Sequence, residues 1–198
     1  MKKITLFLCN TVLLISACGT IDMRKISVEP KISTENMKKS SLKAGLLLND
    51  RFTNYKYTFE TGKQAFLMSN VKGEIDVGKN LSQALYGIVS SKFGNVAVAR
   101  DVSEIHDVDL YFVPRIKSFK YSPPFTGMGS HTAAVELETE IFAGDGRRQR
   151  SFIVEADGSR SMLNQFKMET NYDMAHYAVN EAIDKLLKEF ARKLDELY

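Results

Sequence analysis

Residues 131–154, HTAAVELETEIFAGDGRRQRSFIV, carry the clearest structural pattern in this chain of 198 residues. Two parities alternate in its first half: Val135, Leu137, Thr139 and Ile141 on one side, Glu136, Glu138 and Glu140 on the other. Such alternation is typical of a strand with one buried face. Gly144-Asp145-Gly146 predicts a hairpin turn, after which Arg147-Arg148-Gln149-Arg150 opens a returning strand that continues through Val154. The stretch therefore predicts an antiparallel hairpin.

A long amphipathic helix is predicted after this hairpin. Its apolar residues recur every three or four positions: Ala175, Val179, Ala182, Leu186, Phe190, Leu194 and Leu197. Charged residues fill the positions between them, and Thr170 with Asp173 forms a capping pattern at the start. We expect this helix to lie across a sheet with its apolar stripe buried.

The remaining elements follow from shorter patterns. Leu81, Leu85, Ile88 and Val89 share one helical face and predict a helix over 78–93 that stops at Gly94. Strands are predicted over 44–48, 55–59 with a second arm over 64–71, 96–99, and 109–121. Pro114 places the last of these at an edge or a bulge, because proline donates no backbone hydrogen bond. Together these elements predict an α+β two-layer sandwich, in which a twisted, mostly antiparallel sheet carries both helices on one face.

The first twenty residues, MKKITLFLCNTVLLISACGT, have the pattern of a secretory signal. Two lysines precede an apolar stretch of about 12 residues, too short for a membrane span of about 20 residues. Ile15-Ser16-Ala17-Cys18 resembles the lipobox of bacterial lipoproteins. The resemblance implies cleavage after residue 17 and acyl chains such as palmitate on Cys18. A plain transmembrane helix and a cleaved signal without lipid are the alternatives.

The anchor prediction divides the chain into three parts. Residues 1–17 are the signal peptide, 18–42 are the lipidated cysteine and a flexible tether, and 43–198 are a single α+β domain in the periplasm. Gly19, rather than aspartate, follows the cysteine, and the lipoprotein resemblance then implies the outer membrane, if the source has one. The membrane is the first predicted partner of the protein.

Composition excludes several functions for the mature chain. Loss of Lys2 and Lys3 leaves 25 of the 27 basic residues against 24 acidic ones, so the charge gives no argument for nucleic acid. Of the two cysteines, Cys9 leaves with the signal and Cys18 carries lipid. The domain therefore has no thiol for a disulfide, a metal site or catalysis.

No catalytic or cofactor motif occurs in the sequence. His106, His131 and His176 lack metal-ligand spacing, so we expect no metal and no cofactor. The glutamates at 136, 138 and 140 suggest a carboxylate hydrolase. Pairing with the arginines at 147, 148 and 150 across the hairpin is the simpler reading, and a charged docking strip is the other. We expect no enzyme activity.

One connection is a candidate partner contact. The loop YSPPFTGMG at 121–129 holds Phe125 and Met128 among prolines and glycines. Apolar residues on loops are often anchors for a partner. The alternative is that Phe125 folds back over the edge of the sheet.

The order of anchor, strands and helices resembles the YajG-type family of outer-membrane lipoproteins. The segments ISVEPKI at 26–32 and KAGLLL at 43–48 carry this resemblance, and lipopolysaccharide-assembly lipoproteins of the LptE type have a similar order. The resemblance implies a non-enzymatic accessory or docking lipoprotein with an envelope protein as partner. A carrier or sensor of a lipid or glycolipid, which needs a cavity between helices and sheet, is the alternative, and the hydrolase is a weaker one.

Overall fold

The computed structural model describes residues 21–31, 37–61, 71–124, 129–161 and 170–198. The strands are β1 (Ile21–Ser27), β2 (Ala44–Leu47), β3 (Lys56–Thr61), β4 (Val71–Asp76), β5 (Val96–Ala99), β6 (Leu110–Ser122), β7 (Ser130–Ala143) and β8 (Arg148–Ser161). The helices are α1 (Asp50–Thr53), α2 (Gly78–Phe93) and α3 (Asn171–Leu197), with a short 3₁₀ turn at Val102–Glu104. The predicted α+β class is confirmed, and the predicted 78–93 helix has the bounds of α2.

The main sheet has five strands in the order β5-β2-β6-β7-β8. The predicted hairpin is its antiparallel half, because β7 pairs with both β6 and β8. The other half is parallel, since β2 pairs with β5 and β6 in that sense. Parallel neighbours need long crossover connections, and residues 48–95 supply one between β2 and β5. The sheet is therefore mixed, with its longer ladders antiparallel.

Strand β6 keeps one face apolar over its whole length through a bulge. Leu110 and Phe112 face the core at even positions, whereas Phe119 and Tyr121 do so at odd positions. The pairing with β7 skips Lys117, and this extra residue shifts the parity. Pairing with β2 ends at Phe112, so Pro114 lies where β6 has become an edge, as its missing N–H predicts.

The two long helices, α2 and α3, cover the same face of the main sheet. Their apolar stripes share one core with the inward residues of β6, β7 and β8. Gly158 lets α3 approach β8 closely, because a Cβ there would lie 2.2 Å from the carbonyl oxygen of Ala178. The capping box predicted from Thr170 and Asp173 is present at the start of α3. The helices on one face agree with the prediction.

A second, three-stranded sheet in the order β1-β4-β3 completes the core. Strand β1 runs parallel to β4, which pairs antiparallel with β3. The ring of Phe59 on β3 lies 4.6 Å from the ring of Tyr121 on β6, which joins this sheet to the core of the main one. The sequence predicted one sheet, and the residues that the structure describes form two.

The predicted flexible tether over 18–42 differs from the structure in its described parts. Ile26, near the end of β1, and Val28, just after it, are 0% and 1% exposed in the main core. Folded structure therefore includes residues 21–31 and 37–42, not only residues from 43. Residues 18–20 lie outside the described residues.

The chain between β1 and β2 is held against α3 by a row of hydrogen bonds. The backbone N–H of Glu29 donates to Asn180 Oδ1 at 2.5 Å, and that of Lys31 donates to Asp184 Oδ1 at 2.8 Å. Further along, the N–H of Lys38 donates to Asp195 Oδ1 at 3.1 Å. The three acceptors lie on α3, so we name residues 28–31 and 37–40 the α3 strap.

The last of these acceptors also neutralises a buried cation. Lys92 of α2 is 0% exposed, and its Nζ lies 2.7 Å from Asp195 Oδ1. The hydrogen bond from Lys92 lowers the pKa of the Asp195 carboxyl. The strap lies beside this pair, since the N–H of Ser40 donates to the carbonyl oxygen of Lys92 at 2.7 Å. A buried ammonium depends on its partner, because an uncompensated charge in a core is costly.

We predict that Asp195→Asn lowers the free energy of unfolding by about 3 kcal/mol, because it leaves the Lys92 ammonium buried without an opposite charge. The amide oxygen still accepts from Lys38, so the loss reports the charge. The double variant Lys92→Met/Asp195→Asn should regain most of it. Urea denaturation measures both.

The matched control is Glu196→Gln, whose side chain is half exposed and pairs with Arg192 on the surface. Its cost should stay below about 0.5 kcal/mol. Equal effects of Asp195→Asn and Glu196→Gln would contradict a structural role for the buried pair.

Candidate functional site

The candidate site is a surface cavity of about 410 Å³ between α1 and the free edge of β6. We name it the α1–β6 groove. Its volume is within the range of small-ligand sites in proteins. The groove is lined by Asn49, Arg51, Phe52, Tyr55, Pro114, Arg115, Ile116, Lys117 and Glu138.

The α1 side of the groove is rigidly built despite being only one helical turn. Asn49 caps α1, because its Oδ1 accepts from the N–H of Phe52 at 2.9 Å. The Phe52 side chain is buried in the core, and the carbonyl oxygen of Tyr55 accepts the N–H groups of Val77 and Gly78. Gly78 is required there, since a Cβ would lie 2.2 Å from the carbonyl oxygen of Phe52. Helix α2 therefore fixes the position of the α1 side of the groove.

The β6 side of the groove is an edge protected against strand addition. Among the described strands, none pairs with β6 on the side away from β7 beyond Phe112. Pro114, the bulge at Lys117 and the lysine itself are the devices by which proteins prevent another strand from adding to an edge. A partner in this groove is thus expected to bind through side chains rather than by extending the sheet.

The rim of the groove is positively charged. Arg115 lies 2.7 Å from Glu140, which also pairs with Arg148 at 3.1 Å, and Lys117 lies 3.3 Å from Glu138. In the part of the chain that the structure describes, Arg51 forms no ion pair and remains available. Phe52, Tyr55 and Ile116 supply an apolar floor. The arrangement suits an anionic group attached to an apolar body.

The glutamate row of β7 serves mainly as the counter-charge of these cations. Its predicted pairing across the hairpin is present for Arg148, whereas Arg147 pairs with Asp145 and the other contacts come from β6. The described carboxyl groups with a shifted pKa are lowered, as for Asp195, and not raised as a general acid requires. The hydrolase hypothesis gains no support, and the absence of enzyme activity stays a prediction.

A buried polar pair lies at the other end of β6. Tyr121 Oη and His131 Nδ1 are 2.6 Å apart inside the core. Burial raises the pKa of the Tyr121 phenol. Burial also lowers the pKa of the His131 imidazole, and a hydrogen bond with Asn171 partly offsets this lowering. His131 has the same strand parity as Val135 and Leu137, so its burial was readable from the sequence, although our prediction did not include it.

The other predicted residues are not brought together. His106 is exposed, and His176 Nε2 lies 3.8 Å from Glu29. Within the described ranges, no three His, Cys, Asp or Glu side chains converge as metal ligands. Cys18, Phe125 and Met128 lie outside the described residues, so the lipidation and partner-contact predictions remain predictions. Nor is any helix of the described ranges long and apolar enough to cross a bilayer.

A lipid carrier would need a cavity between the helices and the main sheet, but this space is filled by side chains. Side chains with no solvent exposure occupy the space between the helices and the main sheet, among them Leu85, Phe112 and Leu186. A second cavity of about 430 Å³ lies at the surface instead, where the strap leaves β1 beside Asn80 of α2. A ligand cavity at the predicted place is therefore not supported.

No protein-family model and no curated protein matches the sequence. Among solved structures, the fold is similar to a DUF330 protein from Xanthomonas campestris, with 12% identity, coverage of 88% of this chain and 99% of that one, and a TM-score of 0.48. It is also similar to a minor lipoprotein from Acinetobacter baumannii, with 12% identity, coverage of 81% and 95%, and a TM-score of 0.47. A third is protein CT253 from Chlamydia trachomatis, with 8% identity, coverage of 79% and 96%, and a TM-score of 0.45. Similarities at this level assign no role to any residue.

Proposed function

We propose that this protein is a membrane-anchored, non-enzymatic accessory lipoprotein of the bacterial cell envelope that docks another envelope component. The acylated residue is Cys18, and the domain faces the periplasm from the outer membrane, as Gly19 implies by the lipoprotein resemblance. The similarity in sequence pattern to YajG-type lipoproteins agrees with this assignment. The observation that carries the proposal is the position of the lipobox directly before the fold.

Only Gly19 and Thr20 separate Cys18 from β1. Strand β1 pairs with β4, and Ile26 is fully buried, so the anchor continues directly into the core. Two or three acyl chains hold a protein at a membrane almost permanently. Such a protein stays at the membrane, and its exposed sites bind components that come to the membrane.

The α1–β6 groove is the docking site in this proposal. Its cations at Arg51, Arg115 and Lys117 exceed the acids that face them, because Glu138 and Glu140 are shared among Arg115, Lys117 and Arg148. Complementary charge selects an acidic segment of an envelope protein. The protected β6 edge favours a segment that binds through its acidic and apolar side chains.

A carrier or sensor of an anionic glycolipid is the second candidate. The apolar floor of the groove favours it, because Phe52, Tyr55 and Ile116 could cover a short alkyl or sugar face beside the cations. The groove holds only about 410 Å³, which accommodates a head group and not whole acyl chains. The protein partner is therefore the better-supported occupant.

We predict that Cys18→Ala abolishes acylation of the full-length protein and leaves an uncleaved or mislocalised precursor. Without the thiol, no diacylglyceryl group is transferred, and the signal is not processed at residue 17. Mass spectrometry of the membrane fraction should show an acylated Cys18 at the mature terminus in the wild type. The matched control is Cys9→Ala, which should leave acylation intact. An unmodified terminus in the wild type would contradict the proposal.

We predict that a photo-crosslinking phenylalanine analogue at Tyr55 captures one protein partner in intact cells of the source. Tyr55 lines the groove, so the probe replaces one aromatic ring by another. Adding Arg51→Glu should reduce the captured product several-fold, because it reverses the free charge of the rim. The same probe at Tyr86, an exposed tyrosine of α2, is the matched control.

Capture at Tyr86 but not at Tyr55 would contradict docking at the groove. A product of lipid mass at Tyr55, still sensitive to Arg51→Glu, would favour the glycolipid candidate over a protein partner.

A further inference from the structure

The connection between anchor and fold is short compared with the protein itself. From Cys18 to Ile21 the chain advances three residues, which reach at most about 10 Å. Helix α3 alone has 27 residues and is about 40 Å long. This step rests on the acylation of Cys18 in the proposed function. Given that anchor, the start of β1 stays within about one nanometre of the lipid surface.

The start of β1 lies at one end of the molecule together with other element termini. Ile21 is in register with Val71 of β4, and Val71 is in register with Thr61 of β3. The contact between Phe59 and Tyr121 places the end of β6 beside the end of β3. We name this the anchor end; it is formed by Ile21, Thr61, Val71, Ser122, Ser130, Ser161 and Asn171.

Helix α3 extends from the anchor end to the opposite end. It runs antiparallel to β8, because Glu181 in the first half of α3 accepts from the N–H of Ser159 near the end of β8, and Phe190 near the end of α3 contacts Phe152 near the start of β8. Directly after α3, Tyr198 packs against Phe93. The opposite end therefore includes the end of α2 and the β7–β8 turn.

The long sides of the molecule are poorly suited to a lipid surface. The exposed side of α3 carries charges of both signs, including Lys185, Arg192 and Glu196, whose ion pairs would lose hydration there. The outer face of the main sheet likewise carries ion pairs, such as that of Arg115 with Glu140, and would lose hydration against lipid in the same way.

The anchor end has side chains typical of a membrane interface. Tyr177, in the second turn of α3, is 47% exposed, and the Arg160 guanidinium carbon lies 4.1 Å from its ring centre. Lys72 and Lys120 are exposed near the same end. Tyrosine rings and long cationic side chains place an apolar body towards lipid and a polar tip in water.

We propose that the anchor end is a lipid-contacting surface that rests on the bilayer, so that α3 points away from the membrane and the β7–β8 turn is remote from it. The α1–β6 groove then lies part of the way up the domain and stays open to the periplasm. The surface is selected by the short connection, and Tyr177 and the nearby cations contact the head groups.

Two positions on the same face of β8 test this orientation. Ser159 and Ser151 are both exposed and share one parity, but they are eight residues, or about 27 Å, apart along the strand. Acylated Cys18 leaves no free thiol in the mature chain, so Ser159→Cys or Ser151→Cys supplies the only one. Each acylated protein is labelled with bimane and reconstituted in vesicles of phosphatidylethanolamine and phosphatidylglycerol with a head-group nitroxide lipid.

We expect several-fold stronger quenching at Ser159→Cys than at Ser151→Cys, and no quenching of either label when residues 1–18 are absent. Equal quenching at both positions, or stronger quenching at Ser151→Cys, would overturn the orientation while the anchor stands. Mass spectrometry of the same preparations separates the two failures, because an unmodified Cys18 overturns the proposed function and this inference with it.

Discussion

The structure depends on the hydrogen bonds between the α3 strap and the polar side chains of α3. Asn180 is the clearest example, because its amide accepts from the N–H of Glu29 and donates to the carbonyl oxygen of Ser27. Asp184 and Asp195 continue the row along the helix. These bonds satisfy backbone groups that leave a strand without entering another. These bonds therefore make the N-terminal segment a folded part of the domain rather than a flexible tether.

The fixed N-terminal segment places the proposed anchor and the proposed docking groove on different surfaces of the protein. Because β1 is fixed, an acyl chain on Cys18 defines which end of the fold meets the membrane. The groove is built from a different pair of elements, α1 and the edge of β6, and it depends on α2 rather than on the strap. In the proposed function, anchoring and docking therefore use different parts of the molecule, and we expect substitutions at Arg51 to leave acylation intact.

Local patterns predicted most of the fold, and contacts distant in sequence account for what they missed. The hairpin around Gly144 and the helix at 78–93 follow from periodicity within one element. Strand β1 was assigned to the tether because it is polar in part, and its partner β4 lies about fifty residues away. The groove brings residues near 51 next to residues near 115, and no spacing in the sequence predicts this contact. The parity of His131 was visible, although our pattern began at Val135.

Amide hydrogen exchange of the strap, followed by NMR on residues 19–198 produced without the signal peptide and Cys18, tests the central claim most directly. The N–H groups of Glu29, Lys31 and Lys38 each donate to a side chain of α3. We predict that all three exchange far more slowly than in an unfolded peptide and that Asp184→Ala speeds the exchange of Lys31. Exchange at unfolded-peptide rates for residues 26–31 would contradict the account, since the N-terminal segment would then be a free tether.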